Sequence, residues 1–516
     1  MRTSCVFILC LWCWVSADQG PIKPFESDRQ TRVINAIDTQ AFSVIRAQGL
    51  EPARLCSDAV FVRRVYLDVL GTLPDADTVL AFLSNRKSNK RAGLIEELLS
   101  HEAFSDYWAL KWCDVLRVKA EFPINLWPNA VQAYHRWIYD CLKQNLPYDQ
   151  MAREMLTASG SNFRTAQVNF YRAVQGREPA ALAAAVGLTF MGTRLDTWPK
   201  SKQDDMARFF SKVAFKGTAE WKEEIVFPDP NAFSRLDAVL PDGTRVHVKA
   251  DEDPRVVFAN WLITPETPWF ARAIVNRIWA WLFGRGLIHE ADDIRWDSTP
   301  AHAATLALLE KKLVQSHYDL RQVYRLILNS HTYQQSSVVK DPRAEALFAC
   351  YPLRRLEAEV LIDALCDLTG TRESYSSPIP EPFTFIPEEH RSIELYDGSI
   401  TSQFLEMFGR PARDTGLMSE RSNAPSEAQR LHLLNSTHIR NKITRSAKIN
   451  ALIRNTKGKP SMIVNRVYFH VLSRNPSLAE RKIALAYFEG KGKNSRAATQ
   501  DLVWALINTK EFLYRH

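Results

Sequence analysis

One phrase of the chain recurs, and its period is helical. In Val62-Arg63-Arg64-Val65-Tyr66-Leu67-Asp68-Val69-Leu70 the residues Val62, Val65, Tyr66, Val69 and Leu70 fall at i, i+3, i+4, i+7 and i+8. That spacing gathers them into one stripe of an amphipathic helix. The phrase returns as Val464-Asn465-Arg466-Val467-Tyr468-Phe469-His470-Val471-Leu472, and more loosely as Val275-Asn276-Arg277-Ile278-Trp279-Ala280-Trp281-Leu282-Phe283. Each copy is followed downstream by a helix ending in a related phrase: Leu99-Ser100-His101-Glu102-Ala103-Phe104, Leu328-Asn329-Ser330-His331-Thr332-Tyr333, and Ile507-Asn508-Thr509-Lys510-Glu511-Phe512. One helical packing unit used three times accounts for this, and the uneven spacing argues for related bundles rather than a regular solenoid. Arg64, Arg277 and Arg466 occupy one place in the phrase and are expected to pair with a neighbouring acid or a helix end.

Helical signals also cover Lys90 to Leu99, Ala130 to Gln144 and Tyr148 to Ala158, with an aromatic-rich stretch carrying Tyr107, Trp108 and Trp112 between them. The pattern changes between Phe227 and Asp253. There, Leu236 to Leu240 and Arg245 to Lys249 flank Pro241-Asp242-Gly243, a turn signal with a glycine available for positive φ. The expected fold is mainly α: an N-terminal helical domain over residues 18–227, a β-hairpin linker over 228–252 and a C-terminal helical domain over 253–516. The Pro- and Ser-rich stretch Thr371 to Pro387 reads as an irregular loop. With 46% apolar and 24% charged residues the chain is neither collagenous, disordered nor a multi-span membrane protein. Its net charge of +8, spread over 516 residues, falls short of a nucleic-acid binder.

Arg2, the apolar run Cys5 to Val15 and the small residues before Asp18 have the form of a secretory signal over residues 1–17. That run is too short to span a bilayer, so a periplasmic or extracellular protein without a transmembrane segment is expected. Cys56, Cys113, Cys141, Cys350 and Cys366 would remain, none at a spacing used for zinc or covalent haem. They are expected to be small buried residues.

No familiar catalytic signature is present, and no cofactor is expected. His289-Glu290 with Asp292-Asp293 resembles a solvated loop more than a metal site, so no metal is assigned. The densest polar text runs from Arg410 to Asn435. Arg410, Arg413, Arg421 and Asn435 are candidate ligand-binding residues, since arginine forks suit carboxylate, sulfate or phosphate. Glu420 and His432 are the candidate proton carriers; a buried network fixing an irregular loop is the competing account. The six residues are expected to converge. From Ala428 to Ala479 there is no Asp or Glu against ten Lys and Arg, a surface for anionic polysaccharide or cell-surface components or else a plain solvated face. Trp127, Trp198, Trp221, Trp269 and Trp296, beside Pro or charged residues, are either core or a platform for sugar rings.

Several phrases resemble a known family. Asp253-Pro254-Arg255, Phe270-Ala271-Arg272-Ala273, Phe283-Gly284-Arg285-Gly286-Leu287, Tyr351-Pro352-Leu353-Arg354-Arg355-Leu356, Phe408-Gly409-Arg410-Pro411, Glu420-Arg421-Ser422 and Leu431-His432-Leu433-Leu434-Asn435 resemble the planctomycete-specific C-terminal domain of unknown function. The half from Val60 to Phe210 resembles its usual companion, the planctomycete cytochrome c-associated domain. The resemblance implies a large extracytoplasmic bacterial protein. Many relatives carry Cys-x-x-Cys-His after the counterpart of Phe190 to Leu195, whereas this chain continues Asp196-Thr197-Trp198-Pro199-Lys200, with no thiol to attach haem. The expected function is a non-haem binding or assembly component acting on polysaccharide or the cell surface. The alternative is a hydrolase or lyase built on Glu420 and His432.

Overall fold

A computed structural model describes residues 20–232, 235–386, 389–490 and 495–516. The expected signal over residues 1–17 lies outside the described residues. Among them no helix is long and apolar enough to cross a membrane.

The chain is mainly α-helical, and the recurrent phrase forms a helix each time: Asp58–Val69, Phe270–Phe283 and Pro460–Leu472. Each opens a three-helix unit. The first continues with Ala76–Ser84 and Lys90–Ser100, the second with Ala303–Gln315 and Leu320–Leu328, the third with Leu478–Gly490 and Ser495–Ile507. In every unit the opening helix packs on both that follow it. Each ends on a buried aromatic ring, Phe104, Tyr333 or Phe512. Local chemistry sets the boundaries. Ser57 and Asp75 accept the Val60 and Thr78 amides at helix starts, Pro460 occupies the first turn of its helix, and Gly284 ends another at φ +77.

The first unit holds the other two. Arg63 donates to the main-chain oxygens of Val471 and Phe512 in the third unit at 2.9 and 3.1 Å. Arg64 donates to Tyr333 O at 2.7 Å in the second and to His516 O at 2.9 Å, with its guanidinium 3.7 Å from the Tyr351 ring centre. Arg277 is likewise buried, on Thr189 O, Leu188 O and Asp292, whereas Arg466 is exposed. The shared position therefore carries two different roles. One continuous apolar cluster runs from Ile37 to Phe512 through both halves.

The hairpin forms as the turn signal implies: Arg235–Val239 pairs antiparallel with Arg245–Lys249, Ala238 facing Val246. Gly243 takes φ +94 and Asp242 accepts the Thr244 amide at 2.8 Å. A second small sheet, Val213–Gly217 with Glu224–Pro228 and Gly160–Ser161, lies almost wholly within the expected N-terminal helical domain. Its strands are too short for an alternation to show in the sequence. A third pairing, Arg354–Arg355 with Tyr514–Arg515, ties the end of the chain to the middle. Cys56, Cys113, Cys141 and Cys350 are buried, Cys366 partly so, and all five are free thiols.

Candidate functional site: a cleft over a buried arginine network

Between its first and second helices the second unit inserts a long connection, Gly284 to His302, where the other units make short turns. This connection forms one wall of a cleft of about 490 Å³, contributing Arg285, His289, Glu290 and Asp292. Lys111 and Asp114, from the Glu102–Val115 helix, and Arg354, Arg355 and Glu357 form further walls. The loop Pro411 to Pro425 closes the remaining side. Gly409 sets the base of that loop at φ +86, where a Cβ would lie 1.9 Å from Ser422 O, and the Ser422 amide donates to Gly409 O at 3.0 Å. Only glycine fits there.

Beneath the cleft lies a network of ion pairs. Arg421 reaches Asp114 Oδ2 at 2.6 Å and Glu359 Oε2 at 2.5 Å; Arg413 holds Asp114 Oδ1 at 2.9 Å; Arg410 lies 3.5 Å from Glu359 Oε1. Lys111 pairs with Glu357, which also faces Arg515 at 3.7 Å and accepts the Tyr107 hydroxyl at 3.1 Å. Asp68 receives Arg354 at 2.9 Å, Arg515 at 3.4 Å and the hydroxyls of Tyr333 and Tyr351. Four carboxylates (Asp68, Asp114, Glu357, Glu359) thus share six cations (Lys111, Arg354, Arg410, Arg413, Arg421, Arg515). Arg355, 5% exposed, adds a seventh whose hydrogen-bond partners are neutral oxygens of Gln429, Phe408 and Ser422. Arg285 stands exposed at the rim with no ion pair among the described residues.

The electrostatics follow from burial and from this excess. Burial pushes the Lys111 ammonium down to about 8 against the pull of Glu357, with Arg421 and Arg515 adding to the fall. Burial would raise Glu357, but Lys111, Arg515 and Arg421 hold it well below the usual carboxylate range. Asp114 is held low in the same way by Arg421 and Arg413. The cleft therefore presents charged acceptors already engaged and a surplus of positive charge.

Arg410, Arg413 and Arg421 meet in this network. Glu420 turns back on its own loop, accepting the Asp414 amide at 2.8 Å and the Thr415 hydroxyl at 3.0 Å. His432 sits on the Glu427–Asn435 helix against Phe404 and Phe408, its Nε2 3.2 Å from His438 Nδ1. His438 in turn reaches Glu373 at 2.9 Å. Asn435, at the end of that helix, is exposed. The expected convergence of six residues is thus made by the three arginines; Glu420 and His432 are occupied in separate places. The Ser426 capping box starts a new helix and carries His432 and Asn435 away from the loop. Sequence reasoning passed over Lys111, Asp114, Glu357 and Glu359. The available signal was charge within apolar helical text, as in Leu110-Lys111-Trp112-Cys113-Asp114.

Of the polar residues weighed for a metal, Asp292 is buried on Arg277 and accepts the Met418 amide, Asp293 pairs with Arg295, and Glu290 lies 3.6 Å from Arg194. No group of three or more His, Cys, Asp or Glu able to hold a metal occurs among the described residues. Trp127, Trp221 and Phe383 gather at the surface, ring centres 6.4 and 5.5 Å from Trp127, while Trp198 packs on Trp269 and Trp296 stands alone in solvent.

Comparison with known families accounts for most of the length. The family described as PSCyt2, protein of unknown function (DUF1549), matches residues 36–199, and that described as PSD1, protein of unknown function (DUF1553), matches residues 254–488. The chain belongs to the proteins that carry both. In this PSCyt2–PSD1 chain the cleft is built by both matched regions, Lys111 and Asp114 from the first and Arg285, Arg354, Glu357 and Arg421 from the second. Neither a curated protein nor a solved structure matches the chain.

Proposed function

We propose that this protein is a non-haem binding component, acting outside the cytoplasm on polysaccharide or the cell surface, whose cleft takes a saccharide-like ligand bearing an acidic group. The observation that carries the reading is the excess of six cations over four carboxylates beneath the cleft, with Arg355 buried beside them and Arg285 free at the rim. Uncompensated positive charge out of water is costly, and an anion entering the cleft lowers that cost. Arginine presents paired donors that match carboxylate or sulfate. Trp281, half-buried against Trp108 and Trp112, also lines the cleft, and aromatic side chains are a common contact for sugar rings. The carboxylates present are already paired with arginine and lysine, an arrangement suited to holding a ligand.

A thermal-shift screen of the purified protein tests the reading. Uronate-bearing and sulfated oligosaccharides should raise the unfolding temperature, and added salt should diminish the effect. No shift with any acidic saccharide, or an equal shift with neutral ones, would overturn it.

A further inference from the structure

A second basic feature lies apart from the cleft. The stretch Ala428 to Ala479 lacks Asp and Glu and forms part of the Glu427–Asn435 helix, then Thr437–Thr444, Ala447–Asn455 and Pro460–Leu472. Folding neutralises three of its ten cations: Lys442 on Glu373, Arg474 on Glu480 and Glu511, and Arg430 on Glu427. Arg440, Arg445, Lys448, Arg454, Lys457, Lys459 and Arg466 remain exposed, with no carboxylate partner among the described residues. Among the described residues Lys448 donates to the main-chain oxygen of Asp367. The Ser495–Ile507 helix packs against three of these helices and adds another exposed cation, Arg496, on Thr444 O. Among the described residues, acids from outside the run thus reach Lys442, Arg474 and Arg430 but not the other seven cations, whose charge stays available.

We infer that this face, centred on Thr437–Thr444, Ala447–Asn455 and the turn into Pro460–Leu472, binds an anionic polysaccharide chain along its length. A group of exposed cations without carboxylate partners gains free energy by displacing the counterions condensed on a linear polyanion. A membrane surface fits less well. Peripheral helices insert large apolar groups beside their cations; the Thr437–Thr444 and Ala447–Asn455 helices expose no large apolar side chain, and the exposed Leu431, Leu434, Met462 and Trp504 lie at their margins. Recognition of a polymer here is separate from occupancy of the cleft and does not depend on it.

The test is fluorescence anisotropy with labelled dextran sulfate and labelled polygalacturonate, with neutral dextran as comparison and salt as the variable. The full-length protein should bind both polyanions, ignore neutral dextran and weaken steeply with salt. The triple variant Arg440→Glu, Arg445→Glu, Arg454→Glu changes only exposed side chains. It should lose at least about tenfold in affinity and flatten the salt dependence by about three counterions. The control Arg86→Glu, Lys87→Glu, exposed cations elsewhere, should bind as the unaltered protein does. The cleft variant Arg285→Glu should also retain polymer binding, which separates this face from the cleft. Unchanged binding by the triple variant, insensitivity to salt, loss of polymer binding with Arg285→Glu alone, or binding to phosphatidylglycerol vesicles with none to either polymer would each overturn the assignment.

Discussion

The guanidinium of Arg421 lies 2.6 Å from Asp114 Oδ2 across 307 positions of sequence. The same side chain bridges to Glu359, so one arginine joins the loop over the cleft, the Glu102–Val115 helix and the Ala358–Thr369 helix. Removing one member of a buried ionic cluster leaves its partners charged and unpaired, which costs about 3–5 kcal/mol. Arg421→Ala should lower unfolding stability by about that amount in urea titration, and Arg421→Lys should recover only part, since an ammonium lacks the planar paired donors with which the guanidinium meets both carboxylates. A change within about 0.5 kcal/mol would mean that the network does not hold the loop.

Arg64 and Arg466 occupy the same place in a recurrent phrase but different surroundings. Arg64→Ala strips donors from Tyr333 O and His516 O at the junction of the units. It should cost at least about 2 kcal/mol in the same titration. Arg466→Ala, at an exposed position, should stay within about 0.5 kcal/mol. Equal effects would show that the phrase fixes the role of its arginine regardless of setting.

Ligand affinity should depend on pH through Lys111. Burial brings its ammonium down to about 8, so it is cationic below that pH and neutral above it. An anion in the cleft favours the charged form. Affinity for an acidic saccharide should therefore be highest below about 8 and fall as pH rises through that value, while the arginines keep their charge. Isothermal titration across this range checks the sign; a flat profile would remove Lys111 from the binding electrostatics.

Much of the fold was legible because helices write their period into the sequence. Val62 to Leu70 and its two counterparts formed helices, and Pro241-Asp242-Gly243 marked its turn through residues that tolerate one. The short strands Val213–Gly217 and Glu224–Pro228 carried too little alternation to stand out. The site was half legible for a different reason. Arg410, Arg413 and Arg421 stood out because they crowd one short segment, yet their carboxylates come from helices far away in sequence, where single charges sit among apolar neighbours. His432 and Asn435 were grouped with them by nearness along the chain, and the helix start at Ser426 separates what nearness joins.

The central claim is that the cleft over the arginine network binds an acidic saccharide. It is tested most directly at Arg285, which lines the rim, is exposed and makes no ion pair among the described residues. Isothermal titration of the unaltered protein, Arg285→Lys and Arg285→Glu with a uronate or sulfated oligosaccharide reads the cleft without disturbing the fold. Charge reversal should weaken binding by at least about tenfold, since hydrogen bonds to a charged group contribute about 1.5–3 kcal/mol, and the lysine variant should keep part of the affinity. Equal affinity for all three proteins would contradict the account.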